Sequence, residues 1–74
     1  MSVEKLRSRY LKVLLDQFEE TQYPSAPMMD RIEAAISDRE TAEAYVKMLI
    51  DRVEQSRYPS PPMVDRVRGL LSAL

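Results

Sequence analysis

Carboxylates at three- and four-residue spacing are the first candidates for chemistry in this chain. One group is Asp16, Glu19 and Glu20, and Asp51 and Glu54 repeat part of it further along. On a helix this spacing places them on one face, where they could bind a metal or act as an acid–base pair. Helical carboxylate metal centres also use histidine, however, and the chain contains neither histidine nor cysteine. We interpret the carboxylates as a solvated helix face and predict no metal, no cofactor, no catalytic residue and no enzymatic activity.

Basic side chains form a second candidate site near the start of the sequence. They are Lys5, Arg7, Arg9 and Lys12. A basic helix beside a helix-turn-helix unit is compatible with a small DNA-binding regulator. The later helices lack the run of Arg, Lys, Asn and Gln that reads bases, and the net charge of -1 does not attract polyanions as a whole. DNA binding through the basic first helix is therefore the alternative function, and nucleic acid is not the expected partner.

The pattern Tyr-Pro-Ser-x-Pro-Met-x-Asp-Arg occurs twice, first at Tyr23 and again at Tyr58, 35 residues later. Its main members are Tyr23, Pro24, Ser25, Asp30 and Arg31 in the first copy and Tyr58, Pro59, Ser60, Asp65 and Arg66 in the second. Tyr-Pro predicts the end of one helix, because proline disfavours the helical region for the residue before it. Serine followed by proline predicts the start of the next helix.

The tyrosines and charged pairs of this motif have a structural and a functional interpretation. We expect each tyrosine ring to pack over its turn and each Asp-Arg pair to bind the neighbouring helix. In the functional alternative, tyrosine contacts a partner and arginine recognises a carboxylate or a phosphate. The motif therefore predicts a helix corner that is built twice, and recognition by its side chains is left open.

These corners separate four stretches with helical spacing of apolar residues. Residues 10–39 match residues 45–74 at the same offset, with identical residues at 13 of the 30 aligned positions. Ser37 and Glu40 fit a capping box at the start of the third helix. The chain is therefore predicted to be a single all-α domain over 1–74, a small helical bundle made by tandem duplication of a long-helix/short-helix hairpin. The two repeats cover approximately 3–37 and 38–74.

The first helix has more apolar surface than one neighbouring helix covers. Its main stripe is Val3, Leu6, Tyr10, Val13, Leu14 and Phe18, and Leu11 and Leu15 widen it. The total arc is about 200°, whereas a single neighbour needs a stripe only somewhat wider than ~100°. The predicted surplus, which would form the partner interface, is Leu11, Leu15 and Phe18 on the first helix and Val46, Ile50 and Val53 on the third.

The predicted function is that of a non-catalytic protein–protein interaction or assembly module. The leftover apolar faces would bind a second copy, giving a homodimer or larger homo-oligomer, or a helix of another protein. A chain of this size has a small core, and association is one common way to stabilise it. The absence of cysteine, a charged N-terminus and the lack of a long apolar run predict a cytoplasmic protein that does not enter a membrane.

Overall fold

The computed structural model describes residues 2–74, and every regular element in that range is an α-helix. The helices are α1 Val3–Glu20, α2 Ala26–Ala35, α3 Arg39–Gln55 and α4 Pro61–Ala73. Long and short helices alternate, at 18, 10, 17 and 13 residues. The predicted all-α class with four helices is confirmed.

Serine side chains begin both short helices. Ser25 Oγ accepts a hydrogen bond from the backbone N–H of Met28 at 3.2 Å. Ser60 Oγ accepts one from the N–H of Met63 at 3.3 Å. Both serines have an extended backbone, and proline occupies the first turn of each helix, where its missing N–H removes no hydrogen bond. The corners are therefore built by local chemistry that the motif contains.

The start of α3 differs from the expectation by one residue. The N-cap is Asp38, so the predicted capping box of Ser37 and Glu40 is wrong. Asp38 Oδ2 accepts from the backbone N–H of Thr41 at 2.8 Å and from its hydroxyl at 2.9 Å. A carboxylate caps a helix as well as a serine does, and its charge also favours the positive end of the helix dipole.

The chain divides into two compact units, one ending at Ser37 and the other beginning at Asp38. In the first unit α1 packs against α2. Its buried side chains are Leu11, Leu14 and Phe18 from α1 and Met29 and Ile32 from α2. Both helices of this unit thus bury apolar residues.

In the second unit α3 packs against α4. The buried side chains are Tyr45, Val46 and Leu49, all from α3. None of the 13 residues of α4 is fully buried. The two units bury two equivalent positions, Leu11/Val46 and Leu14/Leu49, and differ at the others.

Candidate functional site

A row of exposed apolar side chains runs along the N-terminal half of α1. Its members, which we call the α1 face, are Val3, Leu6, Tyr10 and Val13. Their spacing of three, four and three residues aligns them on one side of the helix. The buried residues of α1 lie about 90° around the axis from this row. The helix therefore has two apolar stripes, one covered by the fold and one facing solvent.

A second row with the same spacing lies on α4. Its members, which we call the α4 face, are Val64, Val67, Leu71 and Leu74. Val64, Leu71 and Leu74, the residue that caps the helix, are exposed, and Val67 within the row is half-buried. Scattered exposed apolar residues are ordinary, whereas contiguous rows are typical of interaction sites. The two faces are therefore the candidate functional surfaces of this chain.

The long helices of the two units differ in how much of this row they expose. Tyr10 and Tyr45 occupy equivalent positions of the 35-residue repeat. Tyr10 is 50% exposed and Tyr45 is 1% exposed. Thr41 and Met48, the equivalents of Leu6 and Val13, are half-buried. Asp38, the equivalent of Val3, is exposed, so the side of α3 that corresponds to the α1 face, which we call the α3 face, is covered only from Thr41 onward.

The short helices differ in the opposite sense, because the apolar row is covered in the first unit and exposed in the second. Val64 and Leu71 of the α4 face correspond to Met29 and Ile36 at the same offset. Met29 is buried and Ile36 is half-buried, whereas both of their equivalents are exposed. We call Met29, Ile32 and Ile36 the α2 face. In the first unit the α2 face is covered and the α1 face is exposed, whereas in the second unit the α4 face is largely exposed.

None of the six residues of the partner interface predicted from the sequence is fully exposed, and three of them are buried. Leu11, Phe18 and Val46 are buried, and the other three members, Leu15, Ile50 and Val53, are half-buried. The three buried side chains cannot contact a partner in this conformation. The surplus apolar surface of α1 is present, but it lies at the α1 face. The three-four-three row was visible in the sequence, whereas the side on which α2 packs was not.

The tyrosines at the two corners are exposed. Tyr23 and Tyr58 each expose 83% of their surface, so the prediction that their rings pack over the turns is wrong. The hydroxyl of Tyr23 accepts a hydrogen bond from the side-chain amide of Gln22 at 3.4 Å. The guanidinium of Arg57 lies 5.8 Å from the centroid of the Tyr58 ring, within cation–π range. Both contacts are with a sequence neighbour, and neither orients one helix against another.

The charged residues of the motif lie at or near the surface. Asp30, Arg31 and Asp65 are exposed and Arg66 is half-buried. The four basic residues of α1 are exposed as well. Helical geometry places Lys5, Arg9 and Lys12 on one side and Arg7 about 140–160° away from them. The basic residues of α1 therefore do not form a single surface.

The carboxylates singled out by their spacing lie on long helices. Asp16, Glu19 and Glu54 are exposed, and Asp51 accepts from Lys47 of its own helix at 3.1 Å. Within residues 2–74 no three potential metal ligands lie close enough together to hold an ion. No helix in this part of the chain combines the length and the apolar character that crossing a membrane requires. No family model, characterised protein or solved structure matches the chain.

Proposed function

We propose that this protein is a non-catalytic interaction or assembly module that binds a protein partner through exposed apolar helix faces. The partner is a second copy of the chain or a helix of another protein. The observation that carries the proposal is the α1 face, four apolar side chains in a continuous row on the solvent side of α1. Covering a large apolar side chain contributes about 1.5–3 kcal/mol when burial is complete. Partial coverage of four such residues contributes on the order of several kcal/mol. This contribution offsets part of the translational and rotational entropy that the partners lose when they associate.

Site-specific photo-crosslinking in the native cells tests this proposal. A photoreactive phenylalanine analogue replaces Val13, which is exposed within the α1 face. A matched variant carries the analogue at Ser8, which is exposed on the opposite side of α1. We expect discrete protein adducts, with another protein or with a second copy, from position 13 and not from position 8. Equal yields at both positions, or no adduct at position 13, would contradict the proposal.

DNA binding is the second candidate, because Lys5, Arg9 and Lys12 share one exposed side of α1. It predicts binding to duplex DNA that weakens steeply as salt rises, since each phosphate contact releases counterions. Fluorescence anisotropy with labelled duplex measures this directly. The absence of binding at low salt would remove this candidate and leave the first one unaffected. Either function is compatible with the cytoplasmic location that we propose from the lack of cysteine.

A further inference from the structure

We infer that the occupant of the α1 face is the α1 face of a second copy, with the two α1 helices antiparallel. This inference rests on the proposed function and names its partner. It depends on the order of the charges that border the apolar row, on a surface that we call the charged flank. The members of the charged flank, all of them exposed, are Lys5, Arg9, Lys12, Asp16 and Glu19.

The charged flank lies on the side of the α1 face that is away from α2. The buried residues that pack toward α2 lie about 90° around the axis from the apolar row in one direction. Arg9 and Asp16 lie about 80–100° from the row in the other direction, and the remaining three charges lie further round in the same sense. A helix that packed on the α1 face would therefore have Arg9 and Asp16 at the edge of the contact.

The sign of the charge changes once along the charged flank. Lys5, Arg9 and Lys12 come first, and Asp16 and Glu19 follow. This order is the reverse of the one that stabilises a single helix, in which carboxylates lie near the N-terminus and cations near the C-terminus. Neighbours such as Lys5 and Arg9, four residues apart, also carry like charges, which destabilises an isolated helix slightly. The stability of α1 by itself therefore does not explain the order.

The equivalent positions of α3 do not have this order. In chain order they are Glu40, Ala44, Lys47, Asp51 and Glu54. Acidic residues occur at both ends of that set, and Lys47 pairs with Asp51 of the same helix at 3.1 Å. The segregated charges are thus found on the long helix whose apolar row is exposed at Tyr10, and not on the one that buries the equivalent Tyr45.

Two antiparallel copies of α1 bring the opposite charges together. A two-fold axis places the N-terminal half of each helix beside the C-terminal half of the other, so every contact occurs twice. If the 18-residue helices overlap over their full length, Tyr10 lies beside Val13 of the second copy, and Arg9 lies beside its Asp16. A register centred on the four apolar residues would instead place Arg9 beside the same residue of the second copy. The charges therefore favour full overlap, in which the surface is complementary to itself.

Reversal of the two charges at the edge of the contact tests the inference. Arg9→Glu should bring two carboxylates together at each contact, and Asp16→Arg should bring two guanidinium groups together. Sedimentation equilibrium should show a concentration-dependent dimer of the wild type. Each variant alone should dimerise at least ~tenfold more weakly, the effect of losing ~1.4 kcal/mol, because two attractive pairs become repulsive. Added salt should narrow this difference, since it screens attraction and repulsion alike.

Arg7→Glu is the matched control. It makes the same change of charge as Arg9→Glu, but Arg7 lies on the other side of the α1 face, away from the charged flank. It should dimerise like the wild type, and circular dichroism should show the same helix content in all the variants. A loss of dimer in Arg7→Glu as large as that in Arg9→Glu would show that net charge, and not the charged flank, controls association, and would contradict the inference.

The mixture of Arg9→Glu with Asp16→Arg gives the decisive result. In an antiparallel pair of the two variants, the introduced carboxylate meets the introduced guanidinium and the native Arg9 meets the native Asp16, so dimerisation should return to about wild-type strength. A chain that carries both substitutions should also dimerise with itself, which tests the same contact if a single variant does not fold. A mixture that associates no better than its components would overturn the inference. A monomeric wild type would also overturn it, whereas adducts with another protein at position 13 would keep the proposed function.

Discussion

The carboxylate of Asp38 accepts two hydrogen bonds from Thr41, and these lower the pKa of Asp38 below its ordinary value of 3.8. The bond from the hydroxyl is the larger cause and the bond from the backbone N–H is the second. Because the folded pKa lies below the unfolded one, folding favours the ionised form. The stabilisation is fully present above pH 3.8 and is lost as pH falls through the folded pKa.

Replacing Thr41 with valine should raise the pKa of Asp38 toward its ordinary value. Thr41→Val removes the hydroxyl donor and keeps the branched shape and the backbone N–H. Carbon-detected NMR titration of the Asp38 carboxyl group measures the shift. Thr21→Val is the control, since the hydroxyl of Thr21 donates to the carbonyl of Gln17. An unchanged pKa in Thr41→Val would show that the backbone bond alone sets the value.

Gly69 is a glycine inside α4 with open space where a side chain would begin. A Cβ built there meets no atom within 4 Å, and the backbone does not need a positive φ. Gly69→Ala should therefore raise the free energy of unfolding by about 1 kcal/mol, the helix-propensity difference. The equivalent position of the first unit is Ala34, so Ala34→Gly should lower it by a similar amount. Urea denaturation measures both, and a less stable Gly69→Ala would contradict the expectation.

At the scale of the helices, the serine and the tyrosine of each corner differ in their structural role. Ser25 and Ser60 each cap a helix, whereas Tyr23 and Tyr58 are almost fully exposed. The sequence was sufficient to predict the caps, because capping involves residues three positions apart. It was not sufficient to place the tyrosine rings, whose packing depends on what lies nearby in space.

Removing the corner serines should destabilise the fold, and removing the corner tyrosines should not. Ser25→Ala and Ser60→Ala should each lower the free energy of unfolding by about 1 kcal/mol, because an N-terminal N–H loses its acceptor. Tyr23→Ala and Tyr58→Ala should change it by no more than about 0.5 kcal/mol. Thermal or urea unfolding of the four variants measures the difference. A large loss in the tyrosine variants would mean that the rings pack in solution.

At the scale of the whole molecule, association should make the apparent stability depend on protein concentration. Binding that occurs only between folded chains stabilises the folded state by mass action. The wild-type Tm should therefore rise as the protein concentration is increased. Leu6→Glu should remove most of this rise, and Ser8→Glu should keep it. A wild-type Tm that does not change with protein concentration would contradict self-association.

The sequence by itself determined the all-α class, the four helices and the two corners. These features follow from hydrophobic period, capping residues and proline, which act over a few positions of the chain. The prediction failed by one residue at Asp38, because two adjacent residues could both serve as the cap. The apolar surplus of α1 was also visible, since its arc is wider than one neighbour covers.

Only the tertiary structure decided which apolar residues face solvent. Leu11 and Phe18 were predicted to face a partner and are buried, whereas Leu6 and Val13 are exposed. Tyr10 and Tyr45 show the reason most directly, because the same residue at the same repeat position is exposed in one unit and buried in the other. Helical period specifies which residues share a side of a helix. Burial depends on what packs against that side, and residues distant in the sequence supply it.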